Sequence, residues 1–138
     1  MIRDWNLNDL DFIYHSWIKS SRDTNPMWRG VPSSIYCPQV EKRIKTVLNK
    51  YTTRISIYGD ESGLILSYLV YEELSKGNVY HYAYTKGKLR KKGIMSLLIE
   101  ASKPKEVSIY THSTNKAKKL LKQSKVIIFN PFLFLEEE

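Results

Sequence analysis

The residues best suited to chemistry gather around one stretch. HYAYTKGKLRKKGIMSLLIEA, from His81 to Ala101, begins with alternating aromatics, crosses a loop dense in lysine and arginine, and ends at helical spacing. His81 is the best titrating candidate for a general base, because an imidazole exchanges its proton near neutral pH. Glu72 and Glu73 close the preceding β-rich run and offer a base acting through water. Tyr110 and His112, in EVSIYTH, are candidate general acids. Strand alternation separates His81 from Tyr80 and Tyr82, so only one of these sets is expected to face a cleft.

The loop has its own chemistry. Arg90, Lys91 and Lys92 lead into Gly93, and Ile94, Leu97, Leu98 and Ala101 then fall at i, i+3, i+4 and i+7. A helix N-terminus carries unpaired N–H groups and the positive end of the macrodipole, so an anion there is stabilised without any side chain. A glycine lets a ligand approach the backbone. A pyrophosphate fits this description. So does a basic solvated turn, since one glycine is a weak motif.

The elements that must hold these residues can be read from periodicity. MIRDW predicts a short strand. Leu10, Ile13, Tyr14, Trp17 and Ile18 predict a helix from about Asn8 to Ser20. SSRDTNPMWRGVPSSIYCP, with prolines at 26, 32 and 38, predicts a long irregular connection. A second helix is expected from Pro38 to near Lys50. TRISIYG, GLILSYLVYEE and VYHYAYT predict a three-strand meander with turns at GDESG and LSKGN. After the basic loop come the helix that Pro104 ends, the strand EVSIYTH, and a short basic helix in STNKAKKLLKQS. VIIF and FLFL predict two buried terminal strands around Asn130-Pro131. The order β α α β β β α β α β β describes one mixed α+β domain over residues 1–138, without repeats or linkers.

Composition narrows the classes. A hydrophobic fraction of 42% with 26% charged residues belongs to a globular domain rather than a disordered chain. Cys37 is the lone cysteine, which excludes an intrachain disulfide and fits a reducing, cytoplasmic setting. No apolar run reaches the roughly 20 residues that span a bilayer, and no metal site is expected. The net charge of +8 favours an anionic partner. The lysines at 116, 118, 119, 122 and 125 read as a solvated face, with nucleic-acid binding as the sharper alternative. An exposed edge of the terminal strands would support a homodimer.

Strand, basic loop, glycine and helix together resemble the GNAT family, the Gcn5-related N-acetyltransferases. The family's pyrophosphate loop follows Arg/Gln-x-x-Gly-x-Gly/Ala, and Arg90-Lys91-Lys92-Gly93-Ile94-Met95 stands on that pattern. The likeness covers nearly the whole chain by element order and about Tyr80 to Leu121 by motif. Trp17 to Arg22 with VYHYAYTKGKLRKKGI is also similar to small members encoded by tailed phages, which implies the host cytoplasm.

The resemblance implies a central, mostly antiparallel mixed sheet flanked by helices, with its fourth and fifth strands splayed. It implies acetyl-CoA as acyl donor, with the pyrophosphate on the loop from Leu89 through Arg90, Lys91, Lys92, Gly93, Ile94 and Met95. The thioester would meet the strand near Tyr82 and Tyr84, and Asn115 would also touch the cofactor. Trp28, Arg29 and Tyr36, between the first two helices, become acceptor-site candidates. The implied activity is direct transfer to an amine, on a small molecule or a protein, in a ternary complex. Two residues depart from the pattern. Met95 replaces a small residue, and Leu121 stands where many members carry a tyrosine that protonates the CoA thiolate. With the basic charge, these favour a rival reading, a GNAT-fold binding module that has lost catalysis and associates with nucleic acid.

Overall fold

The computed structural model describes residues 1–24, 26–112 and 117–135. Its centre is a six-stranded sheet in sequential order. The strands are β1 (Ile2–Asp4), β2 (Thr53–Gly59), β3 (Ile65–Leu74), β4 (Gly77–Thr85), β5 (Val107–Tyr110) and β6 (Val126–Phe129). The pairs from β1 to β4 are antiparallel, whereas β4–β5 and β5–β6 are parallel. The helices are α1 (Leu10–Thr24), α2 (Pro26–Arg29), α3 (Ser33–Asn49), α4 (Ile94–Ala101), α5 (Ala117–Leu120) and α6 (Phe132–Leu135). This is the expected mixed α+β architecture.

Each sheet face carries its own core. On one, Ile13 and Trp17 of α1 and Val40, Ile44 and Val47 of α3 pack against Ile55, Ile57, Tyr68 and Val70. On the other, Leu98 and Ile99 of α4 and Leu121 pack against Leu69, Tyr71, Tyr80 and Tyr110. The entry to α1 is fixed by Arg3, whose guanidinium donates to both carboxylate oxygens of Asp9 at 2.8 and 3.0 Å.

Three expectations change. The proline-broken stretch is mostly helical, because two of its three prolines sit at helix starts. Pro26 is the first residue of α2 and Pro32 the cap position of α3, places where a missing N–H costs nothing. α3 therefore begins five residues before Pro38 and carries that proline inside it. In the tail, FLFL forms a one-turn helix. Asn130 Oδ1 accepts from the Phe132 N–H at 3.2 Å, and the Phe134 N–H bonds the Pro131 carbonyl at 3.1 Å. Finally, VIIF is an edge strand, with Val126, Ile128 and Phe129 exposed rather than buried.

Gly77 sets where β4 and β5 first meet. A Cβ there would lie 2.3 Å from the Val107 carbonyl oxygen, so only glycine admits the close approach.

Candidate active site

β4 and β5 pair over only three positions, Asn78–Ser108, Val79–Ile109 and Tyr80–Tyr110. The Thr111 N–H then bonds the Tyr80 carbonyl at 3.1 Å, and among the described residues the ladder stops there. From His81 to Thr85, β4 runs on with β3 alone. The gap is a cleft of about 1140 Å³.

A β-bulge shapes its base. Tyr71 pairs with Tyr80 and Val70 with Tyr82, so His81 is an extra residue in the strand. The extra residue overturns the expected alternation. Tyr80 packs with the α4 core, while Tyr82 and Tyr84 pack with the α1–α3 core. Tyr80, His81 and Tyr82 all line the cleft.

The basic loop forms the cleft's mouth. A 3-10 turn over Gly87–Leu89 leads to Arg90, whose Nε donates to the Thr85 carbonyl at 3.2 Å. Lys91 (φ 66°) and Gly93 (φ 78°) both take left-handed conformations, and Gly93 caps α4 without any side-chain bond. The first-turn amides of α4 therefore have no intrahelical acceptor and no side-chain cap. Nothing lies within 4 Å of the position a Gly93 Cβ would take, which leaves the backbone open to a ligand. Leu89, Arg90, Lys91, Gly93, Ile94 and Met95 line the cleft, as do Lys119 and Lys122. Lys92 does not, and Met95 packs partly against the α4 core.

At the inner end lies a chain of polar groups. His81 is buried, with Nε2 at 2.7 Å from Glu72 Oε2 and Nδ1 at 3.3 Å from Thr111 Oγ1. The Thr52 hydroxyl donates to Glu72 Oε1 at 2.7 Å, and Lys50 Nζ lies 3.9 Å from Oε2. The His81 N–H, helped by Thr52 and Lys50, pulls the Glu72 carboxyl down to about 2, and burial holds His81 below its usual range. The pair is thus a carboxylate beside a neutral imidazole. Thr111 Oγ1 is also 2.9 Å from His112 Nδ1. His112 lines the cleft, and its buried Nε2 has no partner among the described residues. Trp17, Tyr82 and Phe134 surround that ring at centroid distances of 6.1, 5.8 and 4.6 Å. Burial, then His81, pushes the His112 imidazole down to about 3.

The other expected residues divide. Arg29 lines the cleft, but Trp28 and Tyr36 line a separate cavity of about 320 Å³ with Val31, Ile35 and Arg43. The Tyr36 hydroxyl is occupied by Ser21 Oγ at 2.6 Å and the Ile18 carbonyl at 2.8 Å. Tyr110 stacks on Phe129 at 5.2 Å within the α4 core, beside Leu121, and both line the cleft. Glu73 points to solvent. Asn115 and Lys116 lie outside the described residues. Sequence reasoning missed Thr111, which carries no motif, and Phe134, which a strand assignment hides.

No family model matches the sequence, and no curated protein does either. Solved structures do match. A Pyrococcus furiosus chain described as a candidate acetyl transferase aligns at TM-score 0.62 and 13% identity, over 94% of this chain and 80% of its own. The ribosomal-protein-alanine N-acetyltransferase of Brucella melitensis biovar Abortus 2308 aligns at TM-score 0.53 and 14% identity, over 94% and 79%. The fold is GNAT-like. At these identities the likeness reaches the fold and leaves the chemistry to this chain's own residues. Among the described residues, no helix of this GNAT-like domain is long and apolar enough to cross a membrane.

Proposed function

We propose that the chain is an acyl-CoA-dependent N-acyltransferase, passing an acetyl group from acetyl-CoA directly to an amine in a ternary complex. The observation that carries this reading is the fork between β4 and β5, with the N-terminus of α4 and its basic loop at the mouth. An elongated arm ending in phosphates fits that shape. The free amides at Gly93 to Met95 would hold the pyrophosphate, with Arg90 and Lys91 adding charge. The β4 edge beyond Tyr80 offers backbone N–H groups to polarise a carbonyl. Acetyl-CoA, when bound, supplies the thioester that is broken.

The residues at the inner end act on protons. His112 lines the cleft and carries a buried, unpartnered Nε2 among the described residues, whereas His81 has both nitrogens engaged. Leu121 offers no proton, so Tyr110 is the protic side chain near that place. A thiol pKa of about 8.5 makes a thiolate a tolerable leaving group without an acid.

Calorimetry with acetyl-CoA is the test. The wild-type protein should bind, and Gly93→Glu should abolish binding by adding bulk, like charge and a strained φ. A protein that ignores millimolar acetyl-CoA but holds duplex DNA near physiological salt, with a log–log salt slope of about −0.9 per phosphate contact, would instead be a nucleic-acid binding module. Lys119 and Lys122 at the cleft rim support that second reading.

A further inference from the structure

The buried polar chain behind the cleft has a direction, and the direction can be worked out from its inner end. Glu72 is a carboxylate, so it only accepts; His81 Nε2, 2.7 Å away, must carry the hydrogen. His81 Nδ1 is then a bare lone pair in a buried site. The donor beside it is the Thr111 hydroxyl at 3.3 Å. The hydroxyl also lies 3.5 Å from the His81 carbonyl, a longer contact; with its one hydrogen on the otherwise unsatisfied His81 Nδ1, it accepts from His112. His112 Nδ1, 2.9 Å away, must therefore be the N–H, and His112 Nε2 the bare nitrogen. Nε2 is the atom left without a partner, on a residue that lines the cleft. One carboxylate thus fixes two imidazole tautomers and one hydroxyl orientation in series, and leaves a bare, buried proton acceptor on a residue that lines the cleft.

We propose that His112 Nε2 takes the proton of the acceptor ammonium, and that Thr111, His81 and Glu72 form a relay that moves the charge inward. This rests on the acyltransferase reading above. The step balances. The ammonium gives one proton to His112 Nε2. His112 Nδ1–H passes to Thr111 Oγ1, and the Thr111 hydroxyl hydrogen passes to His81 Nδ1. The positive charge comes to rest on His81, whose Nε2–H remains on Glu72. The free amine then attacks the thioester carbonyl: C–N forms, C–S breaks, and the amine's second proton goes to the thiolate. The relay runs back and releases the stored proton to water.

The arrangement explains why so poor a base sits in the cleft. An imidazole held near 3 cannot keep a proton at neutral pH. It can pass one on to His81, which burial also disfavours as a cation, so the charge stays there only until the relay runs back, balanced meanwhile by Glu72. The groups facing His112 are otherwise aromatic, Trp17 from α1 and Phe134 from α6, with Tyr82 and His81 of β4 as the titratable neighbours. The 3.3 Å link at Thr111 is the longest, and side-chain rotation must shorten it; catalytic hydrogen bonds often tighten only when substrate is bound. His112 is the catalytic residue in this scheme; Thr111, His81 and Glu72 are positioning residues.

Two measurements test it together. Long-range proton–nitrogen NMR of the wild-type protein should find His81 protonated at Nε2 and His112 at Nδ1. In Thr111→Val, His112 should lose that fixed tautomer. Single-turnover transfer from acetyl-CoA to a peptide with a free N-terminal alanine should fall about 10²-fold in Thr111→Val at neutral pH, the lower end of general-base effects. The defect should shrink as pH rises through the α-amino pKa of about 8, where the amine no longer needs a base. Thr111→Ser should restore the rate. A wild-type His112 protonated at Nε2, a pH-independent Thr111→Val defect, or failure of Thr111→Ser to rescue overturns the relay alone. If the tautomers are as stated and acetyl-CoA is never consumed, the acyltransferase reading falls and the relay's catalytic role falls with it.

Discussion

Below Tyr80, β4 and β5 are bonded; above it, they part. The two halves handle buried polar groups differently. In the bonded half, Asn78 Nδ2 donates to the Tyr80 hydroxyl at 3.2 Å and the Ser102 carbonyl at 3.1 Å, and Tyr80 meets Ser102 Oγ at 2.7 Å. That network ties the sheet to the end of α4 and turns inward on itself. Its leftover atom, Asn78 Oδ1, is away from the cleft lining. In the open half, the chain from Glu72 through His81 and Thr111 ends on His112, which lines the cleft and whose buried Nε2 has no partner among the described residues. An unsatisfied buried polar atom costs about 1–3 kcal/mol. Location separates the two orphans: one belongs to a packing residue, the other to a residue that lines the cleft.

The largest expected effect breaks the bonded half. Gly77→Val places a side chain against the Val107 backbone, so the start of the β4–β5 ladder must move. We expect a loss of about 2–4 kcal/mol in urea denaturation; a loss below about 0.5 kcal/mol would mean that the ladder's start is not tightly fixed.

Next comes the mouth of the open half. Gly93→Ala fits the space but strains a left-handed φ, at a cost of about 1–2 kcal/mol. Acetyl-CoA affinity, read by calorimetry, should fall at least about tenfold, the equivalent of 1.4 kcal/mol. A change in stability without a change in affinity would detach the loop from cofactor binding.

A smaller effect follows from the buried imidazole. The folded-state value of His112 is below its ordinary 6.5, so the unfolded chain binds the proton first as pH falls. Stability should therefore decline from about pH 6.5 toward 3. His112→Phe should flatten that decline, as seen in denaturation midpoints across the range. Parallel wild-type and variant curves would show that His112 is not buried neutral. The smallest effect is at the rim: Lys91→Ala should weaken acetyl-CoA about twofold, and less at high salt, because exposed charge is screened.

The sequence carried the strand meander, the helical face of α4 and the basic loop, because each is set by local periodicity and by glycine. It also named both histidines and Glu72. It could not show how they join. Their connection runs through Thr111, an ordinary residue type, and through the bulge at His81, which depends on β3's register rather than on any residue of β4. The tail misled for a similar reason. FLFL is as apolar as a strand, and Asn130-Pro131 turns it into a helix that delivers Phe134 beneath His112. The resemblance implies one acceptor-site group of Trp28, Arg29 and Tyr36, yet Arg29 lines the cleft while the two aromatics line another cavity.

The bulge has one more consequence. A strand with strict alternation keeps a single phase from end to end. β4 changes phase at His81, so Tyr80 before it and Tyr82 and Tyr84 after it, all even-numbered, belong to different layers of the protein. Deleting His81 would remove the bulge and restore plain alternation, leaving Tyr82 and Tyr84 opposite Val70 and Tyr68, where Trp17 and Phe12 already pack on them. His81 is thus the one position of β4 whose loss spares the packing of every later side chain and takes away only the imidazole between Glu72 and Thr111.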